Sequence, residues 1–369
     1  MLQRAMARSR SHLIPIVALV VVAAGCANTG TAPRHSPSVS PTAVPTVSPV
    51  RRPGPTPPEF PTVGPGAAGL SCRLPVGFAP GTVDTQPAEG RLGFVQFPEG
   101  RVTIAYSFPF GSDPYATYLR SANRWVPANW PYILPDGSRY VVWESLEQQP
   151  PYRTRLHLVE TATGQERVLT VEMGIGTRDA YFFHSYAPEG IYLVAATVGT
   201  SGGHGLWLLD TNTGLRREIT PSGSWSMVAA GGAWANANDD TVAPAPPGYA
   251  GSNSVVRLDL RTGQTQVWLV TPGRQIDIVG VDQAGRPLVM VSNGLGAELQ
   301  LLSAPGQSQT YPVPQAATHA GLANAYPNGI SDANGIWIED ADAIYLFDQQ
   351  HGMRLVMAGR YLRVAGRCD

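Results

Sequence analysis

A sixteen-residue unit, Gly205 to Thr220, constrains this chain more than any other feature. It reads as an apolar run (Leu206-Trp207-Leu208-Leu209), a turn (Asp210-Thr211-Asn212-Thr213-Gly214) and a polar run that alternates with apolar positions. That is the pattern of a β-hairpin. Gly214 suits the positive φ of a tight turn. The unit recurs at Leu156–Leu169, Val255–Leu269, Leu299–Val313 and Ile344–Met357. Its turn glycines at 164, 214, 263, 306 and 352 are spaced 50, 49, 43 and 46 residues apart. A period in the forties built from strands is the signature of a β-propeller blade.

A second series of turns precedes these hairpins: Pro135-Asp136-Gly137, Pro188-Glu189-Gly190, Gly231-Gly232, Asp282-Gln283-Ala284-Gly285 and Asp332-Ala333-Asn334-Gly335. Each unit is therefore four strands, a to d, with one glycine turn joining a to b and another joining c to d. Gly90 to Tyr106, turning at Glu99-Gly100, reads as the outer pair of a first unit incomplete at its start. Six units are expected, with five or seven also compatible with the looser ones. Ser107 to Trp125 reads as an insertion with one short helix around Pro114 to Ala122. The expected fold class is all-β, a propeller whose ring is closed by N- and C-terminal strands.

The N-terminal quarter has a different composition. Met1 to His12 is basic, and Leu13 to Ala24 is an apolar run interrupted by Pro15. A bilayer span needs ~20 residues, so this run fits the core of an export signal better. It ends in Ala23-Ala24-Gly25-Cys26, which resembles the lipobox of bacterial lipoproteins; Ala23 stands where Leu is commoner. The resemblance implies a signal over 1–25, lipidation of Cys26, and a protein anchored on the outer face of the cell membrane, or of the outer membrane in a two-membrane host. An ordinary cleaved signal with an incidental Cys is the plainer alternative. Residues 26–69 are rich in Pro, Ser, Thr, Ala and Gly, a composition too poor in apolar surface to offset ordering, and are expected to form a tether. Residues 70–369 are assigned to the propeller.

Within that region, Ile133-Leu134-Pro135-Asp136-Gly137-Ser138-Arg139-Tyr140-Val141-Val142-Trp143, followed by Asp-x-x-Thr-Gly turns, resembles the WD40-like repeats of TolB-type propellers. Residues 70–369 also resemble the propeller lipoproteins of GC-rich bacteria. Both resemblances imply fold and not activity, because propellers host enzymes, ligand binders and scaffolds alike.

Of the three cysteines, Cys72 and Cys368 stand at the two ends of the propeller region. Export would bring them to an oxidising compartment, and a closed ring brings its ends together, so a Cys72–Cys368 disulfide is expected; two free thiols are the alternative. A net charge of −1 gives no basic field for nucleic acid. All 26 basic residues are Arg. No His-Glu-x-x-His or phosphate-cradling loop is present, and no catalytic residue, metal or cofactor is assigned. Glu339-Asp340-Ala341-Asp342 and Asn238-Asp239-Asp240 read as solvated acidic turns, with calcium as the alternative. Trp143, Trp207, Trp268 and Trp337 fall inside strands and read as packing between blades; Trp125, Trp130, Tyr152 and Tyr249 are the loop aromatics.

The function expected is a membrane-anchored, monomeric binding or scaffold module for an envelope or extracellular ligand, a protein or a small molecule. The alternative is an exported propeller enzyme of lyase, hydrolase or quinoprotein type. Because the a–b and c–d links are tight, the ligand is expected on the face of the longer b–c and d–a links. The residues named there are Arg124, Tyr152, His204, Asp239, Asp240, Tyr249 and His319.

Overall fold

The computed structural model describes residues 60–368, except 81–88, 110–115, 148–151, 176–178, 198–202, 230, 238–251, 294–295, 315–316, 318–329 and 341. Cys26, Asp239, Asp240, Tyr249 and His319 lie outside the described residues. The described part is nearly all β, with three single-turn 3-10 helices, and its antiparallel sheets form the six blades of a β-propeller.

The c–d turns show why the repeated motif folds as it does. Asp210 Oδ1 accepts the N–H groups of Asn212 and Thr213 at 2.6 and 3.1 Å. Thr213 Oγ1 accepts the N–H of Leu215, and Gly214, at φ +74°, donates its N–H to the Asp210 carbonyl at 2.9 Å. Asp259 and Thr262 repeat the arrangement, and Asp348 accepts from Gln350 and His351 in the last blade. The Asp side chain thus satisfies donors that the reversing backbone leaves open. Those N–H groups hold the carboxyls of Asp210 and Asp259 below the usual carboxylate range.

The strands alternate between neighbours on both sides. In the strand Gly190–Thr197, Ile191 and Leu193 pack toward the second blade, and Tyr192 packs toward the fourth. With both faces buried, such strands are apolar at nearly every position. Burial accordingly falls into apolar clusters at the blade junctions, for example Trp337, Ile344 and Val356 with Leu74, Val76 and Val95 between the sixth blade and the first. Between the first and second blades the insertion supplies the wedge. It is a hairpin, Thr117–Leu119 with Arg124–Val126, and the helix expected around 114–122 is reduced to one 3-10 turn at Arg120–Ala122. Leu119, Val126 and Ala128 pack on Ile133, Tyr140 and Val159 of the second blade, while Tyr118 and Trp125 pack on Phe94 of the first. Of the four strand tryptophans, Trp337 is buried, but Trp143 is 40% exposed and packs edge-on to Tyr132.

The ring closes twice. The C-terminal strand Arg363–Val364 pairs with Arg73–Phe78 and becomes the innermost strand of the first blade, as expected from the incomplete first unit. Independently, Thr62–Val63 pairs with Gly352–Ala358 and adds a fifth, outermost strand to the sixth blade. The folded region therefore begins before residue 70. Composition hides this because backbone, not apolar side chains, makes the contact: Gly64 donates its N–H to the Val356 carbonyl at 2.7 Å, and a Cβ at Gly66 would stand 2.4 Å from the Leu355 oxygen.

Cys72 and Cys368 are disulfide-bonded, with their Cα atoms 5.5 Å apart. Cys368 follows the inner strand of the first blade and Cys72 precedes its neighbour, so the disulfide stands where the other blades have an a–b turn.

Candidate functional site

The innermost strand of a blade faces the central channel, and three such strands carry a β-bulge near their ends. In Asp179–Ala187 the register jumps between Phe183 and Ser185, leaving His184 as the extra residue. In Trp225–Ala229 the extra residue is Ser226, and in Gln275–Val281 it is Val279. Bulges re-aim side chains without breaking the sheet. In the second blade no inner strand forms; a 3-10 turn, Trp130–Tyr132, and an isolated bridge from Ile133 to Tyr140 replace it.

These irregularities surround a cavity of about 760 Å³ at the a–b-turn end of the channel. Trp130, His184, Ser185, Ser226, Ser331 and Arg367 line it, Trp130 from the 3-10 turn and the others from the ends of four different strands. Apolar lining comes from Tyr132, Met227, Val228 and Val281. The size and the mixture of apolar wall with few polar groups suit a small-molecule site.

Several polar atoms of this lining have no hydrogen-bond partner. They are His184 Nε2, Ser185 Oγ and Arg367 Nε, all buried. Burial pushes the His184 imidazole below its ordinary pKa, partly offset by hydrogen bonding to backbone at His184 and Trp225, so it is neutral at pH 7. The Arg367 guanidinium lies 4.9 Å from the centre of the Trp130 ring, a cation–π contact. The two lining carboxylates are occupied elsewhere. Asp282 is paired with Arg286 at 2.6 Å, and Glu189 accepts the Tyr192 hydroxyl at 2.6 Å. Among the described residues no carboxylate pairs with Arg367, and no group of three His, Cys, Asp or Glu is placed to hold a metal ion.

Of the seven residues named from the sequence, the two with described side chains, Arg124 and Tyr152, do not line this cavity. Arg124 opens the second strand of the wedge hairpin and donates to the Thr161 carbonyl at 3.1 Å, so its guanidinium reaches a c–d turn and not the long-loop face. Tyr152 sits at φ +53° and packs into the cluster between the second and third blades, where its carbonyl accepts the Met173 N–H. His204 lies in the strand Gly203–Leu209, opposite Ala195, and its side chain is outside the described residues, as are Asp239, Asp240, Tyr249 and His319. Glu339, from the acidic turn, accepts the Val364 N–H at 2.7 Å. Of the cavity residues, Trp130 carried a sequence signal as a loop aromatic. His184, Ser226 and Ser331 had a fainter one, as polar residues a few positions before an a–b turn in an otherwise apolar strand.

No protein-family model matches the chain, and no curated protein matches it. Solved structures with a similar arrangement include TolB from Acinetobacter baumannii (14% identity, 63% of this chain and 53% of that one, TM-score 0.29). Others are cobalt-substituted apocarotenoid oxygenase from Synechocystis (13%, 65% and 63%, TM-score 0.34) and oligogalacturonate lyase from Vibrio parahaemolyticus (13%, 77% and 76%, TM-score 0.34). The chain spans less than two thirds of the length of the first two. Likenesses this distant carry no argument about ligand or activity.

Proposed function

We propose that the protein is a binding module for a small-molecule ligand, held on the outer side of a membrane by a lipid on Cys26, with the cavity at the a–b-turn end of the channel as its site. The observation that carries the reading is the buried, unpartnered polar set of His184, Ser185 and Arg367 beside Trp130 in a preformed cavity. Buried polar groups are normally paired, and a set of them around one cavity is what a ligand would complete. Binding is preferred to turnover because Ser185 Oγ donates to no base and His184 Nε2 has no hydrogen-bond partner in this geometry. The anchoring part rests on the basic segment, the short apolar run and the Ala-Gly-Cys26 ending.

Two measurements test it. Native mass spectrometry of protein purified from its own envelope should show a small-molecule adduct that disappears in Ser226→Trp, which fills the cavity. An adduct unchanged by Ser226→Trp places binding elsewhere and sinks the assignment. Cys26→Ser should move the protein out of the membrane fraction; unchanged fractionation refutes the anchor.

A further inference from the structure

We infer that the cavity selects a ligand bearing a carboxylate on a flat or ring-shaped body, the carboxylate on Arg367 and the ring against the wall formed by Trp130 and Tyr132. The inference rests on the binding-module reading above and gives it a substrate class.

Besides the phenols of Tyr132 and Tyr186, whose pKa values burial raises, four titratable or charged side chains line the cavity: His184, Glu189, Asp282 and Arg367. Asp282 is neutralised by Arg286, which takes it through Nε at 2.8 Å and Nη2 at 2.6 Å. Glu189 accepts the Tyr192 hydroxyl, a neutral donor, at 2.6 Å and makes no ion pair among the described residues. His184 is held neutral by burial. The guanidinium of Arg367 is left as a cation with a ring contact and no anion among the described residues. Its Nε is shielded from solvent without an acceptor. A guanidinium edge presents parallel donors that match a carboxylate in a two-point contact, and such charged pairs are the strong ones away from bulk water.

The rest of the wall describes the body of the ligand. Trp130 and Tyr132 come from one 3-10 turn, and Met227 and Val228 come from the inner strand of the fourth blade, so the space beside the cation is bounded by apolar surface. Ser185, Ser226 and Ser331 add hydroxyls at separate points of the rim, each able to donate or accept.

Arg367 is also well fixed for this task. The next residue, Cys368, is held by the disulfide to Cys72, by Asp332 on its N–H and by Asn334 on its carbonyl. The latch that closes the ring therefore places the binding cation. A preset cation loses little freedom when it binds, which favours affinity.

The test is a crystallographic and calorimetric comparison of acid–amide pairs on the full folded domain: benzoate against benzamide, and indole-3-acetate against indole-3-acetamide. The acids should bind in the cavity about tenfold more tightly than the amides, with the carboxylate on Arg367. Arg367→Gln should abolish that preference while leaving amide binding and thermal stability in place. If acids and amides bind in the cavity equally, this inference fails and the binding-module reading stands. If every fragment binds elsewhere, or none binds, both fail. The acid–amide comparison in wild type needs no variant, so a poorly folding Arg367→Gln protein would not rescue the inference.

Discussion

Asp332 Oδ2 lies 2.9 Å from the main-chain nitrogen of Cys368 and accepts its N–H, so a turn of the last blade grips the residue that closes the first. The same carboxylate accepts the indole N–H of Trp337 at 2.7 Å and, through Oδ1, the N–H of Asn334 at 2.8 Å. Asn334 returns the contact, donating to the Cys368 carbonyl at 3.2 Å. Asp332 is 6% exposed, so these donors have no ready substitute in water. Replacing Asp332 by Ala strands two buried donors and should cost about 3 kcal/mol, read as a lower urea midpoint with an unchanged slope. A loss below about 0.5 kcal/mol would show that the turn does not contribute to closure.

The disulfide bridges 296 residues. On the chain-entropy account, a loop of this size contributes up to about 5 kcal/mol, before any native-state cost. Cys72→Ser with Cys368→Ser should therefore unfold at clearly lower denaturant. Combined with Asp332→Ala, the total loss should fall short of the sum, because both devices fix Cys368. Strict additivity would mean that they act independently.

Glu339 makes the same seam sensitive to pH. It accepts the Val364 N–H from the C-terminal strand, and burial raises its pKa from 4.5 to about 7, against the opposing pull of that hydrogen bond and of Arg363. An acid with a raised folded pKa favours the fold in its protonated form. Its contribution is therefore complete below about pH 4.5 and is lost as pH rises through about 7, a change on the order of 3 kcal/mol. Glu339→Gln keeps an acceptor for Val364 and cannot ionise. Thermal midpoints measured from pH 5 to 8 should fall less in this variant than in wild type; parallel curves would contradict the assignment.

Two turn glycines should respond differently to a methyl group. Gly263 has φ +73° and open space at the Cβ position, so Gly263→Ala carries only the backbone cost, about 1 kcal/mol. Gly335 has φ +138°, and a Cβ there would stand 2.1 Å from the Phe347 oxygen. Gly335→Ala should cost roughly 3 kcal/mol or more, since a strand of the sixth blade must move. Equal thermal shifts for the two variants would refute this reading of the turns.

How much of this was legible in the sequence follows from where each kind of information sits. The hairpins and their turns are local, so Asp210-x-x-Thr213-Gly214 and Pro188-Glu189-Gly190 name their own structure. The C-terminal closure and the disulfide were legible because a ring with an incomplete first unit leaves its last strand one place to go. The outer strand Thr62–Val63 was not, because glycine backbone made the fit. The cavity was not either. Trp130, His184, Ser226, Ser331 and Arg367 are far apart in the chain and meet only because four strand ends and one 3-10 turn converge on one axis. His184 and Ser226 face their neighbours through bulges, which apolar alternation does not announce. Loop length drew attention to the other face, where Asp239, Asp240, Tyr249, His319 and the His204 side chain lie outside the described residues; Arg124 is engaged with Thr161.

The double closure also decides how the domain would answer a mechanical pull on the chain before Phe60. Force arriving there first meets Thr62 and Val63, whose pairing with Ala358 and Met357 is only two residues long and would unzip at low load. The load would then pass along the chain to Cys72, where the covalent bond transfers it to Cys368. The two ends of the 296-residue span would be drawn as one point, and none of the blade strands between them would lie in series with the force.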